Sequence, residues 1–279
     1  MGSPALYWMP DVLRRDLRTF TSRGPAIRAR VCPVVRLSVN VNKVATLRNS
    51  RGGSFPAVLD AVEVCLSAGA PGITVHPRED ERHITPQDVR GVAGRLAEPD
   101  ARGVELNIEG DPRASWLELV HAVRPAQATL VPVREGEVTS EAGWGRDTDA
   151  SAMRGWITEL KAAGIRVSLF VDAQPDAVRW AADMGADRIE LYTEPYARAH
   201  AARPAAVDEA LAPFVVAAEL ANSLGLGVNA GHDLDLDNLG AFKAVPHLAE
   251  VSIGHALMGR ALFVGLPRVV GEYLALLAE

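Results

Sequence analysis

Short apolar runs and longer amphipathic stretches alternate along this chain with a regular beat. The runs are Arg36–Val41, Gly72–His76, Gly103–Glu109, Ala128–Val133, Arg166–Asp172, Arg188–Thr193, Gly227–Ala230 and Glu250–Gly254. They are rich in β-branched residues and leucine, and their length suits strands. Between them lie Pro56–Ala68, Pro86–Leu96, Pro112–Val123, Ala150–Ala163, Pro175–Met184, Val207–Leu224 and Leu236–Val245, and Ala256–Leu277 forms a last helix. Several of these stretches open on Pro and many end in Gly, as helix starts and stops do. The phrases around Ala68, Ala162 and Met184 read as helix C-caps that feed the next strand.

About eight such β-α units in sequence predict an α/β fold, a (β/α)8 TIM barrel, as a single domain over residues 35–279. A doubly wound open sheet, the rival arrangement, needs fewer strands or a further domain. Residues 1–34 stand outside the rhythm and read as an N-terminal extension. Within it, Leu13, Leu17 and Phe20 share one face of a short helix that Gly24 and Pro25 end.

Composition narrows the function. The 279 residues are 48% hydrophobic and 23% charged with a net charge of −6, which speaks against a nucleic-acid or acidic-membrane binder. Two cysteines, Cys32 and Cys65, cannot build a disulfide framework, and a reducing cytoplasm is the natural compartment. No apolar run approaches the ~20 residues that cross a bilayer, and the N-terminus lacks the hydrophobic core of a secretory signal.

Barrel active sites lie at the C-terminal ends of the strands. The first run ends in Asn40-Val41-Asn42-Lys43, with Arg48 and Arg51 following. The second ends in His76 and Arg78, with His83 one loop later. The third ends in Asn107 and Glu109 on one face, and the fourth leads to Glu137, Thr139 and Glu141. The fifth ends in Asp172 and the sixth in Glu190 and Thr193. The seventh ends in Asn229-Ala230-Gly231-His232-Asp233 and the eighth in Gly254-His255. Of seven histidines, His76, His232 and His255 fall at strand ends and His83 nearby, whereas His121, His200 and His247 fall on helices or loops. That clustering points to an enzyme.

The residue types suggest the chemistry. His76 beside Arg78 and Glu109 suits proton transfer near an anion. Glu190 alternates onto the face opposite Ile189 and Leu191, as either a buried structural pair or a charge facing the cavity. Gly231 and Gly254 each sit at a strand-to-helix turn, where bare N–H groups and a helix N-terminus can hold phosphate, and Arg51 is a candidate cation for that site. No His-x-His or His-x-x-x-His pair appears and Arg78 would repel a cation, so no metal site is expected.

Several phrases, in order along the chain, resemble the pyridoxine 5′-phosphate synthase family of deoxyxylulose-dependent vitamin B6 synthesis. They are Ala45-Thr46-Leu47-Arg48-Asn49-Ser50-Arg51-Gly52, Gly72-Ile73-Thr74-Val75-His76, Arg78-Glu79-Asp80, Arg82-His83-Ile84-Thr85 and Leu130-Val131-Pro132. Glu137-Val138-Thr139, Ser168-Leu169-Phe170, Val228-Asn229-Ala230-Gly231-His232 and Ile253-Gly254-His255 complete the set.

The resemblance implies a TIM-barrel transferase, usually a homo-octamer, without metal or organic cofactor. It would condense 1-deoxy-D-xylulose 5-phosphate with 3-amino-2-oxopropyl phosphate, two phosphorylated small molecules, into pyridoxine 5′-phosphate, phosphate and water. By motif position His76 and Glu109 would accept protons, His232 would donate one, and Glu190 would stabilise cationic or polarised intermediates. Arg78, His83 and Thr139 would hold the deoxyxylulose phosphate; Asn40, Arg51, the Asp233 backbone, Gly254 and His255 would hold the aminoketone phosphate. This chain departs from many relatives in carrying Asn42-Lys43 where Asp-His is common, at positions expected to touch the deoxyxylulose phosphate, and Asp233 where Gly is frequent. The competing readings are a phosphosugar lyase or isomerase with Lys43 as a Schiff-base amine, and a ligand-binding homologue that has lost turnover.

Overall fold

A computed structural model describes residues 34–133, 142–146 and 148–278. Its eight strands are β1 (Arg36–Asn40), β2 (Gly72–Val75), β3 (Glu105–Gly110), β4 (Gln127–Leu130), β5 (Arg166–Val171), β6 (Arg188–Tyr192), β7 (Gly227–Gly231) and β8 (Leu248–Ile253). They form a closed barrel in chain order, every neighbour parallel, with β8 returning to β1 through Val39 and Ile253. This is the (β/α)8 barrel expected from the sequence. The proposed extension 1–34 lies, apart from Val34, outside the described residues.

The helices are α1 (Asn42–Asn49), α2 (Val58–Ser67), α3 (Pro86–Leu96), α4 (Ala114–Val123), α5 (Ala150–Ala162) and α6 (Pro175–Met184), then α7 (Glu194–Ala202), α8 (Val207–Ser223), α9 (Leu239–Phe242), α10 (His255–Val264) and α11 (Leu266–Ala278). Four points differ from the sequence reading. Helix α1 and helix α7 bury only Ala45 and Tyr196 respectively, so neither carries an apolar stripe to betray it. The last helix is two, because Gly265 takes φ 89°, a left-handed conformation that ends α10. The stretch expected as a long helix over Leu236–Val245 forms only the single turn of α9.

Alternation along the strands divides the barrel sharply. Outward positions such as Leu37, Val39, Ile73, Val75, Ile108, Leu169, Ile189 and Val251 are fully buried against the helices. Inward positions are polar, where most barrels of this type place branched apolar residues. Ser38 Oγ and Thr74 Oγ1 share a hydrogen bond of 2.6 Å, Thr129 Oγ1 donates to Asn107 Oδ1 at 2.9 Å, and Arg188 Nη1 donates to Asn229 Oδ1 at 2.7 Å. A polar interior holds together only if its groups find partners, and these bonds run from strand to strand around the barrel.

Candidate active site

At the C-terminal ends of the strands a cavity of about 480 Å³ opens, lined by the polar upper layer of the barrel and by the loops above it. Its floor holds His76, Glu109 and Glu190, all buried. Each is fixed by its own local device.

His76 follows β2, and its backbone N–H donates to Asn42 Oδ1 at 2.9 Å. Asn42 is fixed in turn, because its own N–H donates to Asn40 Oδ1 at 3.1 Å. Position 42 therefore needs a side-chain acceptor, and an amide supplies it without adding charge. Glu109 sits on β3 before Gly110. The Trp116 indole of α4 donates to the Glu109 carbonyl at 3.0 Å, and a side chain at position 110 would meet that indole nitrogen at 2.2 Å. Glycine at 110 thus lets α4 pin the strand where Glu109 turns inward.

The two groups face each other. His76 Nδ1 lies 3.6 Å from Glu109 Oε2, close for an ion pair but long for a hydrogen bond. Glu109 also receives weak bonds from Asn40 Nδ2 and, across the barrel, Ser252 Oγ, both at 3.4 Å. His76 Nε2 is buried and has no hydrogen-bond partner among the described residues. A buried ring nitrogen left without a partner beside a carboxylate is unfavourable for folding alone and suits a group that acts on a ligand.

Glu190 of β6 resolves the choice left open by the sequence, since it faces the cavity and takes no hydrogen bond from any described residue. Burial, helped by the carboxylates of Glu109 and Glu250, pushes its pKa well above the ordinary value. A side chain at Gly231 on β7 would meet Glu190 Oε1 at 2.3 Å, so that glycine makes room for the carboxyl.

The rim is cationic on one side. Lys43, Arg78, Arg82 and His83 line it. His83 is held by α1, where Asn49 Nδ2 and Arg48 Nη2 donate to its carbonyl at 2.9 and 3.2 Å, while Arg48 pairs with Asp88 at 2.5 Å. The Leu47-Arg48-Asn49 phrase therefore serves structure, tying α1 to the loop after β2. The His83 ring accepts the Ile84 N–H on Nδ1 at 2.9 Å, so its neutral form carries the proton on Nε2. Burial first, then the charges of His76, Arg78 and Lys43, pull its pKa down to about 3. In that neutral form Nε2 remains a hydrogen-bond donor.

The opposite side is built by β7 and β8. His232 and Asp233 take φ 83° and 60°, two successive left-handed residues that each cost of order 1–3 kcal/mol. Thr193 bonds both sides of this turn, donating its hydroxyl to the carbonyls of Gly231 and His232, and Asn238 Nδ2 donates to the Asp233 carbonyl at 3.1 Å. The Asp233 carboxylate lies 2.8 Å from His232 Nδ1, and that bond above all holds its pKa below the ordinary value. Helix α10 begins at His255, directly after Gly254, with no side-chain cap, so its first N–H groups are available at the cavity edge. No comparable helix follows His232, because the next is the single turn α9. The expected dipole site therefore exists after β8 and not after β7.

Asn40, Asn42, Lys43, Arg78, Asp233, Gly254 and His255 line the cavity beside His76, His83, Glu109, Glu190 and His232. Arg51 does not; it is exposed beyond the end of α1. Thr139, Glu137 and Glu141 lie outside the described residues. Asp172 accepts the Gly143 N–H at 3.2 Å and lines an adjoining cavity of about 890 Å³ that shares His232 and Asp233. Thr46, Arg82, Val131, Phe170 and Ser252 line the mouth without having been singled out from the sequence. For Phe170 and Ser252 the signal was available, since period-two alternation puts them on the same face as Ser168 and Glu250. Among the described residues no three His, Cys, Asp or Glu side chains converge to hold a metal ion.

A family model described as "Pyridoxal phosphate biosynthesis protein PdxJ" matches residues 37–279. The pyridoxine 5′-phosphate synthase of Xanthomonas axonopodis pv. citri is 53% identical over 251 residues, covering 87% of this chain and 96% of that protein. The enzyme of the same name from Bacteroides thetaiotaomicron is 49% identical over 241 residues, covering 86% and 98%. Among solved structures, thiamine phosphate pyrophosphorylase from Pyrococcus furiosus superposes with a TM-score of 0.57 at 13% identity, covering 88% of this chain and 96% of that one. Phosphoribosyl anthranilate isomerase from Thermus thermophilus gives 0.54 at 16% identity, covering 88% and 98%. At such identities these two structures speak to the fold alone.

Proposed function

The chain belongs to the PdxJ family of pyridoxal phosphate biosynthesis proteins and is an enzyme of pyridoxine synthesis; from that premise we propose how its barrel mouth works. The enzyme condenses 1-deoxy-D-xylulose 5-phosphate with 3-amino-2-oxopropyl phosphate, releasing phosphate and water as the pyridine ring closes. The observation that carries the assignment of roles is the buried His76–Glu109 pair, with an unpartnered imidazole nitrogen, under a rim of three cations.

In this reading His76 and Glu109 take protons from the joined substrates, and their 3.6 Å gap closes when a ligand reorganises the floor. His232 returns a proton from the other side of the cavity. Asp233, where relatives often have glycine, turns its charge onto the His232 ring rather than toward a phosphate and so orients the donor. Glu190, whose pKa burial raises, can in its protonated form donate a hydrogen bond to a developing oxyanion or, once ionised, offset a cationic intermediate. Holding both reactants in one cavity removes a bimolecular encounter, worth up to ~7–11 kcal/mol in ideal geometry.

Arg78, Lys43 and neutral His83 bind the deoxyxylulose phosphate, with Thr139 the fourth expected contact. Asn42 acts chiefly by fixing His76. Gly254, His255 and the start of α10 bind the aminoketone phosphate together with Asn40 and the Asp233 backbone. Arg51, exposed and outside the cavity, reaches that phosphate only if its segment moves or a neighbouring copy presents it. Exposed Phe55, Leu262 and Phe263 offer apolar surface for self-association into a homo-octamer, and light scattering of the purified chain tests that state. Among the described residues no helix is long and apolar enough to cross a membrane, in keeping with a cytoplasmic reaction.

The test is direct. Purified protein mixed with both phosphorylated substrates should yield pyridoxine 5′-phosphate, followed by absorbance or mass. Absence of product at high enzyme concentration contradicts the reading.

A further inference from the structure

The inward face of this barrel is polar almost everywhere, and its exception is local. Val131 just past β4, Phe170 in β5 and Tyr192 at the end of β6 form an apolar cluster separate from the main core. They are 5%, 3% and 7% exposed. Each lies two residues after an inward polar residue, namely Thr129, Ser168 and Glu190, so all three point into the barrel at its top. Val131 and Phe170 line the mouth cavity together with the polar residues Asn40, His76 and Glu109. Tyr192 backs them. Its ring centroid lies 5.4 Å from that of Phe170 at 53° and 5.2 Å from that of His232 at 76°. The Phe170 and His232 rings are 6.5 Å apart, so the aromatic wall runs up to the proposed proton donor.

One wall of the cavity therefore asks for an apolar partner. The two open-chain substrates, hydroxylated and phosphorylated, present little apolar face. The product presents a flat aromatic ring. We infer that the Val131–Phe170–Tyr192 wall recognises the face of the pyridine ring as it forms, which makes Phe170 a specificity-determining residue that favours cyclised species over open-chain substrates. The inference rests on the synthase reading above. Its physical basis is that ring-on-ring contact is gained only late in the reaction, so it stabilises the closing ring more than the bound reactants. The same contact slows product release.

Equilibrium binding separates this from a merely structural role. Pyridoxine 5′-phosphate and glycerol 3-phosphate, which carries a phosphate but no ring, are titrated into the full-length wild type, Phe170→Leu, Phe170→Tyr and Val131→Ala by calorimetry. Phe170→Leu should weaken the ring compound about 5- to 10-fold while glycerol 3-phosphate changes by less than about twofold. Phe170→Tyr, which keeps the ring face, should restore most of the loss, and Val131→Ala should fall between. Retained glycerol 3-phosphate binding shows that a variant is folded; if Phe170→Leu is not, the Tyr and Ala variants decide. Unchanged binding of the ring compound, or equal weakening of both ligands, overturns the inference while leaving the synthase reading intact. A wild type that does not bind pyridoxine 5′-phosphate at all overturns both, and is distinguishable because the variants then have nothing to lose.

Discussion

At the N-terminal end of the barrel Glu105 accepts hydrogen bonds from Arg36 and Arg166, whereas at the C-terminal end Glu190, also an inward carboxylate, accepts none from any described residue. The two ends use the same chemistry toward different ends. Around Glu105, Arg166 also reaches Gln127 at 2.9 Å, and Arg188 reaches Asn229, which bonds onward to Glu250 at 3.4 Å. Burial alone would raise Glu105, but the two guanidinium bonds outweigh it and hold its pKa below the ordinary value. Around Glu190 burial raises the pKa, and the nearby Glu109 and Glu250 carboxylates reinforce it. The lower layer pairs Glu105 with two guanidinium groups. In the upper layer His76 Nε2 is buried without a hydrogen-bond partner among the described residues, and that is where a ligand has work to do.

The largest effect that tests this division is on turnover. His76→Ala should lower kcat by about 10²–10⁴-fold, the range of a lost general base, with an unfolding midpoint close to wild type. Near-normal turnover would remove His76 from the mechanism. Next comes stability at the other end. Glu105→Ala strands Arg36 and Arg166 and should cost about 2 kcal/mol in urea unfolding, between the ~0–1 of exposed pairs and the ~3–5 of buried ones, because Glu105 is about a quarter exposed. The folded fraction should keep its specific activity; a selective loss of activity would mean that the lower layer shapes the site as well.

The smallest effect concerns His83, whose folded pKa near 3 lies below its ordinary 6.5. Between those values the unfolded chain binds the extra proton, so stability rises with pH and is lost as pH falls below about 6.5, at no more than about 1.4 kcal/mol per pH unit from this group. His83→Gln keeps a donor and should flatten that slope. NMR titration of the His83 ring should show no transition between pH 5 and 8, and a midpoint near 6.5 would contradict a neutral phosphate contact.

The sequence revealed much of this arrangement because the barrel's rules are periodic. Strand runs and strand-end residues follow from alternation, so His76, Glu109, Glu190 and His232 were found where the cavity is. What it hid was set by tertiary contact. Helices α1 and α7 lack an apolar stripe, so packing rather than pattern forms them. Arg48, which the sequence only places after the first strand, holds the His83 loop. Asn42 looked like a weakened ligand and supplies the acceptor that fixes His76. Arg51 sits in a motif beside the site but is exposed and does not line its cavity, which spacing alone cannot tell. Phe170 is a different case: alternation already places it inward, but an aromatic residue in an apolar run reads as core until the rest of the interior proves polar.

The comparison of the two barrel ends is tested most directly by urea unfolding of Glu190→Gln and Glu105→Gln beside wild type at pH 5 and pH 8. Glu190 has its folded pKa raised above 4.5, so wild type binds a proton that the unfolded chain releases, and stability is lost as pH rises through that window. This contrast between the two ends implies that Glu190→Gln gains stability relative to wild type from pH 5 to pH 8. Glu105 has its pKa lowered, so its contribution is present above about 4.5, and Glu105→Gln should be less stable than wild type at both pH values. A Glu190→Gln protein that follows wild type at both pH values, or a Glu105→Gln protein as stable as wild type, would contradict it.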